Sequence, residues 1–177
     1  NFVYEANIRY LHHLGEVTYF SPLADTSLPD AGFVYLPGGY PELYLAALSA
    51  NRQMLQSIRR YVESGGKLLA ECGGMMYLCD EIRDKNGDVY PMAGVLHQSA
   101  TMENMKLRLG YRTLLYNETR LKGHEFHYSR LVEQQNPLPS CAVAYTAKGV
   151  ETDTPLYHYK NVWAGYTHLY WADPVGN

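Results

Sequence analysis

The chain has 177 residues, 46% of them hydrophobic, which suits one compact domain with a real core. Its 15 basic and 18 acidic side chains leave a formal charge of -3, so there is no basic footprint for nucleic acid and no polybasic patch for a membrane surface. No apolar run approaches the roughly 20 residues that span a bilayer, and the mixed opening "NFVYEANIRYLHHLG" does not read as a secretory leader.

Three cysteines, Cys72, Cys79 and Cys141, are too few and too scattered for a disulfide framework or a zinc site. They read as reduced thiols of a cytoplasmic protein. The chain starts without Met and enters a helical pattern almost at once, so a piece of a longer polypeptide is expected.

Tyr4, Ile8 and Leu11 have helical spacing over residues 3–14, and Gly15 is a stop. "EVTYF" (16–20) reads as a short strand and "LADTSLPDAG" as a loop. "FVYL" (33–36) is a continuous apolar run of the kind buried on both faces of a parallel sheet, and it ends abruptly in "PGGYPE". Asn51 caps a helix whose apolar face is Met54, Leu55, Ile58, Tyr61 and Val62, and Gly65 ends it. "KLLAE" (67–71) is a second buried strand, and a helix is expected from about Gly73 to Ile82. This order implies parallel strands joined by crossovers.

Beyond the turn "DKNGD" (84–88) the texture becomes tyrosine-rich and β-leaning, in "AGVLH", "KLRLGYRTLLY", "HEFHYSRL", "CAVAYT" and "PLYHYKNVWAGYTH". Asn117-Glu118 and Lys160-Asn161 read as hairpin tips. A mixed or antiparallel extension packed on the first half is expected, with no linker dividing residues 1–177.

The chemistry concentrates at "KLLAECGGMMYL". A strand that turns sharply into a helix projects its corner residue into the crevice beyond the strand ends, and the corner needs small neighbours. Ala70, Gly73 and Gly74 surround Cys72 in that way, as in a nucleophile elbow with cysteine in place of serine. A free thiol titrates near pH ~8.5, and a helix N-terminus lowers that value. The Gly73 N–H is placed to receive an oxyanion, each such donor being worth about 3 kcal/mol of barrier. Gly38 and Gly39, directly after "FVYL", open into the same crevice and offer a second donor.

A general base is also needed. Among seven histidines, His168 alone closes an apolar run, "NVWAGYTH", and is expected at a strand C-terminus. Each feature has a plainer reading. A lone cysteine at a strand–helix junction is more often a small buried hydrophobe, and "PGG" after a strand is usually only a turn. "HEFH" (124–127) is not a helical HExxH metal motif, since His124 and His127 fall on opposite faces of a strand. No GxxxxGK[ST] phosphate loop occurs in the chain.

In order, "SPLADTSLP" (21–29), "YLPGGYPEL" (35–43), "AECGGMMYL" (70–78), "PMAGVL" (91–96), "LGYR" (109–112), "GHEFHYS" (123–129) and "AGYTHLYW" (164–171) cover nearly the whole chain. Together they resemble the C-terminal glutamine amidotransferase domain of the cobyrinic acid a,c-diamide synthases, a family of the cobalamin pathway. The resemblance implies an α/β, class I amidotransferase-like (flavodoxin-like) three-layer sandwich, with a mainly parallel central sheet and an antiparallel extension.

It implies that Cys72 attacks L-glutamine, that Gly39 and Gly73 form the oxyanion hole, and that His168 transfers the protons. Tyr128 and Ser129 are candidate substrate contacts, with simple packing of their strand as the equal alternative. No cofactor is expected in this domain. ATP and Mg are expected in an N-terminal synthetase domain of the same polypeptide, which amidates a corrin acceptor bound mainly outside this domain.

Triad amidotransferases usually carry a glutamate two residues after the histidine. That position is Tyr170 here, as the subfamily resemblance implies, and the group orienting His168 is left open. The family also has a first strand before the segment matching "NFVYEAN", which this chain is expected to lack. Open alternatives are a cobyric acid synthase, a nickel tetrapyrrole a,c-diamide synthase, another cysteine hydrolase of the same fold, and a non-catalytic docking module.

Overall fold

A computed structural model describes residues 3–171. The chain opens with helix α1 (Glu5–Leu14), followed by a long connection to strand β1 (Phe33–Leu36). A single tight turn at Pro41–Leu43 leads into α2 (Leu45–Ala50) and α3 (Arg52–Glu63), then β2 (Lys67–Glu71) and α4 (Gly73–Leu78). The remainder is β-rich: β3 (Cys79–Arg83), β4 (Val89–Pro91), β5 (Leu96–Thr101), β6 (Arg108–Tyr116), β7 (Thr119–His127) and β8 (Arg130–Leu131). It ends with β9 (Ala142–Thr146), β10 (Glu151–Thr152), β11 (Leu156–Tyr159), β12 (Val162–Gly165) and β13 (His168–Tyr170).

The strands form three sheets. The central one has the order β1-β2-β12-β11, parallel throughout except for β11. A five-stranded antiparallel sheet has the order β10-β9-β6-β7-β13, and a smaller mixed sheet the order β4-β3-β5-β8. The antiparallel sheet is the extension expected from sequence. Its β6–β7 hairpin turns at Asn117 (φ 53°), and the β11–β12 hairpin turns at Lys160 (φ 50°).

Val34, Leu36, Leu68 and Ala70 of the central sheet join Met54, Leu55, Ile58 and Val62 of α3 in the main core, with Met75, Met76 and Leu78 of α4. The helical period of the α3 residues makes this possible, and the Asn51 side chain caps the helix by accepting from the Met54 N–H at 3.4 Å. A small second cluster, with Leu114, Ala144, Leu156 and Leu169 at its centre, ties the antiparallel sheet to the central one.

Two local expectations are corrected and one element is added. Residues 16–20 join no ladder, because no described strand lies alongside them, and β1 is paired only on its β2 side. The helix after Cys72 stops at Leu78 rather than Ile82. The carbonyls of Tyr77, Leu78, Cys79 and Asp80 are taken by the N–H groups of Ala93, Val95, Gly94 and Met92 at 2.9–3.0 Å, which draws the chain out into β3. The short helix α2 has no counterpart in the sequence reading, its "LAALSA" being too brief for a clear period. Among the described residues no helix is long and apolar enough to cross a membrane.

Candidate active site

β2 delivers its last residue, Glu71, against Gly165 of β12, and the Cys72 N–H continues the ladder to the Gly165 carbonyl at 2.8 Å. Cys72 itself adopts φ 51°, ψ -110°, a conformation that costs a non-glycine residue energy and so marks a corner held by its surroundings. The next residues start α4. A Cβ on Gly73 would meet the Gly39 carbonyl oxygen at 2.6 Å and Pro41 at 2.7 Å; one on Gly74 would meet the Leu36 carbonyl oxygen at 2.2 Å. Glycine is needed here for close approach of three backbone segments. The elbow expected from sequence is therefore present.

Cys72 and His168 line the same cavity, of about 580 Å³, together with Gly39, Tyr40, Tyr111, His124, Glu125 and Phe126. These come from the turns that follow β1 and β2 and from β6, β7 and β13, so residues nearly a hundred positions apart converge. The Cys72 thiol donates to the Phe126 carbonyl at 3.6 Å. His168 lies over Gly38, where a Cβ would come within 2.2 Å of the imidazole Cε1. His124 stacks on His168 with centroids 5.1 Å apart, and its Nδ1 is 2.8 Å from the Tyr4 hydroxyl. His168 was expected at a strand C-terminus. It instead opens β13, three residues past the end of β12, because Gly123 lets the two chains close up: a Cβ there would be 2.1 Å from the His168 carbonyl oxygen.

Burial pushes the Cys72 thiol up to about 12; the Gly73 N–H opposes this, and the nearby Glu42, Glu125 and Glu71 add to it. Burial also holds the His168 imidazole down to about 4, aided by His124 and His127. Thiol and imidazole are thus both neutral at pH 7.

Residues 1–175 match the model of the CobB/CobQ-like glutamine amidotransferase domain. The chain is a member of that family. It is 39% identical over 175 residues to a hydrogenobyrinate a,c-diamide synthase of Pseudomonas aeruginosa, covering 96% of this chain and 38% of the relative. It is 38% identical over 179 residues to a cobyrinate a,c-diamide synthase of Fusobacterium nucleatum, covering 96% and 39%. The chain therefore spans about two fifths of the length of these curated relatives. Among solved structures, one titled PurLQS from Thermotoga maritima aligns with a TM-score of 0.58 at 16% identity, covering 92% of this chain and 80% of that one. A crystal structure of a glutamine amidotransferase aligns at 0.51 and 19% identity, covering 77% and 70%. The fold is thus that of the class I glutamine amidotransferases, as the sequence resemblance implied.

Not every residue singled out in this amidotransferase domain reaches the Cys72 cavity. Tyr128 and Ser129 line a neighbouring cavity of about 890 Å³ instead. Ser129 is buried against the Tyr166 hydroxyl (3.0 Å) and the Met76 sulfur (3.2 Å), because the chain leaves β7 at His127 and turns away from the thiol. Phe126, two positions earlier, is the residue of this segment that meets Cys72.

Two buried carboxylates escaped sequence reading. Glu125 lines both cavities and accepts from Arg112 Nε (2.6 Å), His127 Nε2 (2.9 Å) and Thr154 Oγ1 (2.8 Å). Burial alone would raise its pKa, but the hydrogen bonds from His127 and Thr154 and the Arg108 charge overcome that and hold it at about 2. Glu71 is 1% exposed; burial raises it to about 7 against the opposing hydrogen bonds from Tyr35 and the Leu169 N–H. The available signal for Glu71 was a charged residue closing the buried strand "KLLAE".

Proposed function

We propose that this chain hydrolyses L-glutamine at Cys72 and passes the ammonia to an ATP-dependent synthetase that amidates the a and c carboxylates of a cobyrinic acid-type corrin. The observation that supports this most is the shared cavity of Cys72 and His168, closed by a glycine-rich strand end and a strained elbow. The thiol sulfur attacks the side-chain amide carbon, and its proton passes to the His168 imidazole. The oxyanion receives the backbone N–H groups of Gly39 and Gly73. As the tetrahedral adduct collapses, the C–N bond breaks and His168 protonates the departing nitrogen, leaving a glutamyl thioester and ammonia. Water, losing a proton to His168, then releases glutamate and the thiol.

ATP and Mg²⁺ belong to the synthetase portion, which we assign to the remaining length seen in the relatives. Tyr40, Leu109, Tyr111 and Phe126 are exposed and line the mouth of the cavity, an apolar rim suited to being covered by the unit that receives ammonia. The reading places the protein in the cytoplasm.

The test is glutamate release from glutamine by the complete polypeptide, with ATP, Mg²⁺ and cobyrinic acid present. Release equal to amide formation, lost on Cys72→Ala while ammonium salts still support amidation, is expected. Unimpaired glutamine-dependent amidation by Cys72→Ala would refute the assignment.

A further inference from the structure

We propose that Glu71 is the positioning residue for His168, clamping the backbone of the histidine strand to the elbow that carries Cys72. The inference rests on the glutaminase reading and names the part that Tyr170, standing where triad amidotransferases carry an acid, leaves open.

β13 is laddered on one side only, with His168, Leu169 and Tyr170 opposite His124, Gly123 and Lys122 of β7. In an extended strand the middle residue directs both its N–H and its C=O to the opposite edge from its neighbours. Buried groups there require partners. Side chains supply them in place of another strand. The Leu169 N–H donates to Glu71 Oε2 at 2.8 Å, and the Leu169 C=O accepts from Asn7 Nδ2 at 2.7 Å. Asn7 Oδ1 then accepts from the Trp171 N–H at 3.0 Å. The other carboxylate oxygen, Glu71 Oε1, is held by the Tyr35 hydroxyl at 2.5 Å.

The location of this clamp decides its role. Glu71 is one peptide from Cys72, and Leu169 is one peptide from His168. A single hydrogen bond between them therefore fixes two strands that do not pair with each other, at the positions next to the two reacting side chains. It adds to the Cys72 N–H contact with the Gly165 carbonyl, which ties the start of the 165–168 segment to the elbow. Both Glu71 oxygens face partners that are not reacting atoms, so the residue acts through His168. The groups around its carboxylate are Tyr35 of β1, Tyr4 and Asn7 at the start of the chain, and Cys72 on its own segment.

The test compares Glu71→Gln, which keeps volume and an acceptor, with Glu71→Met, which keeps volume and removes both acceptors. Steady-state glutamine hydrolysis is measured in the full chain, with Cys72 alkylation by iodoacetamide as a count of intact sites. Displacement of a proton-transfer group by about an ångström costs roughly 10²-fold. Glu71→Met is expected to lower kcat by about 10- to 100-fold with KM changed less than about threefold, and Glu71→Gln to stay within about threefold of wild type. Wild-type kcat in Glu71→Met, or equal losses in the two variants, overturns the inference while leaving the glutaminase reading intact. A wild-type chain inert toward glutamine overturns that reading and this inference with it. Where Glu71→Met does not fold, Tyr35→Phe frees one carboxylate oxygen with the ring retained. A kcat loss of about threefold or more at constant KM then supports the clamp, and an unchanged kcat overturns it.

Discussion

Gly38→Ala gives the most direct physical test of where His168 sits. The new Cβ would lie 2.2 Å from the imidazole Cε1, 3.1 Å from Nε2 and 3.3 Å from Nδ1. Ordinary contact begins at 3.4 Å, so the ring or the loop must retreat by about 1.2 Å. The ring has little freedom to do so, since His124 stacks on it at 5.1 Å and Gly123 is pressed against its carbonyl. Under the glutaminase reading this group takes and returns a proton, and a shift of that size costs about 10²-fold in turnover. The expected result is a kcat for glutamine hydrolysis lowered about 100-fold, read by coupling glutamate to glutamate dehydrogenase, with little change in Tm. Gly32→Ala is the matched control, because nothing lies within 4 Å of its Cβ. Activity of Gly38→Ala within about threefold of wild type would refute the assignment of His168 as the base at this position.

Two further outcomes follow from the electrostatics. With the Cys72 thiol raised to about 12, its reactive thiolate is scarce at neutral pH, so iodoacetamide alkylation, corrected with Cys72→Ala, should rise about tenfold per pH unit from pH ~7 to ~9; a plateau below pH ~8 would contradict a buried, uncharged thiol. Glu125→Ala strands the buried Arg112 guanidinium, so urea unfolding at neutral pH should show a loss of about 3–5 kcal/mol, and a loss below about 1 kcal/mol would show that the network is not what holds β6 and β7 together.

The elements legible in the sequence are those whose signals are local. "FVYL" and "KLLAE" read as buried parallel strands because unbroken apolar runs bounded by glycine have few other uses, and both align in the central sheet. The elbow was legible because a cysteine followed by two glycines at such a junction restricts the geometry. "EVTYF" has strand composition but no ladder, since pairing depends on what lies beside a segment and composition cannot report that. The helix after Cys72 was read too long because its last carbonyls are captured by residues 92–95, a contact made by folding the chain back. Tyr128 and Ser129 were placed from a family pattern, and the turn after His127 carries them into the other cavity. Glu71 and Glu125 were missed for the same reason in both cases: a carboxylate's burial is decided by partners on other strands, here Leu169 and Arg112.

The resting charges also bear on how such a site operates. Burial raises the Cys72 thiol to about 12 and lowers the His168 imidazole to about 4, and both shifts disfavour a preformed thiolate–imidazolium pair. Under the glutaminase reading, proton transfer from Cys72 to His168 must then accompany attack on the amide. The charge that develops goes chiefly to the substrate oxygen, toward the proposed Gly73 and Gly39 N–H donors, instead of residing on sulfur among Glu42, Glu71 and Glu125. Those carboxylates disfavour a thiolate in the empty site. The adduct places the charge beyond the sulfur, toward the helix N-terminus, so the same surroundings that suppress the free nucleophile tolerate the reaction once a carbonyl is bound. Geometry therefore has to supply what acidity does not. Under that reading the approach of His168 to Cys72 becomes the controlling quantity, and Gly38, Gly123 and the Glu71–Leu169 hydrogen bond are the contacts proposed to position the histidine strand.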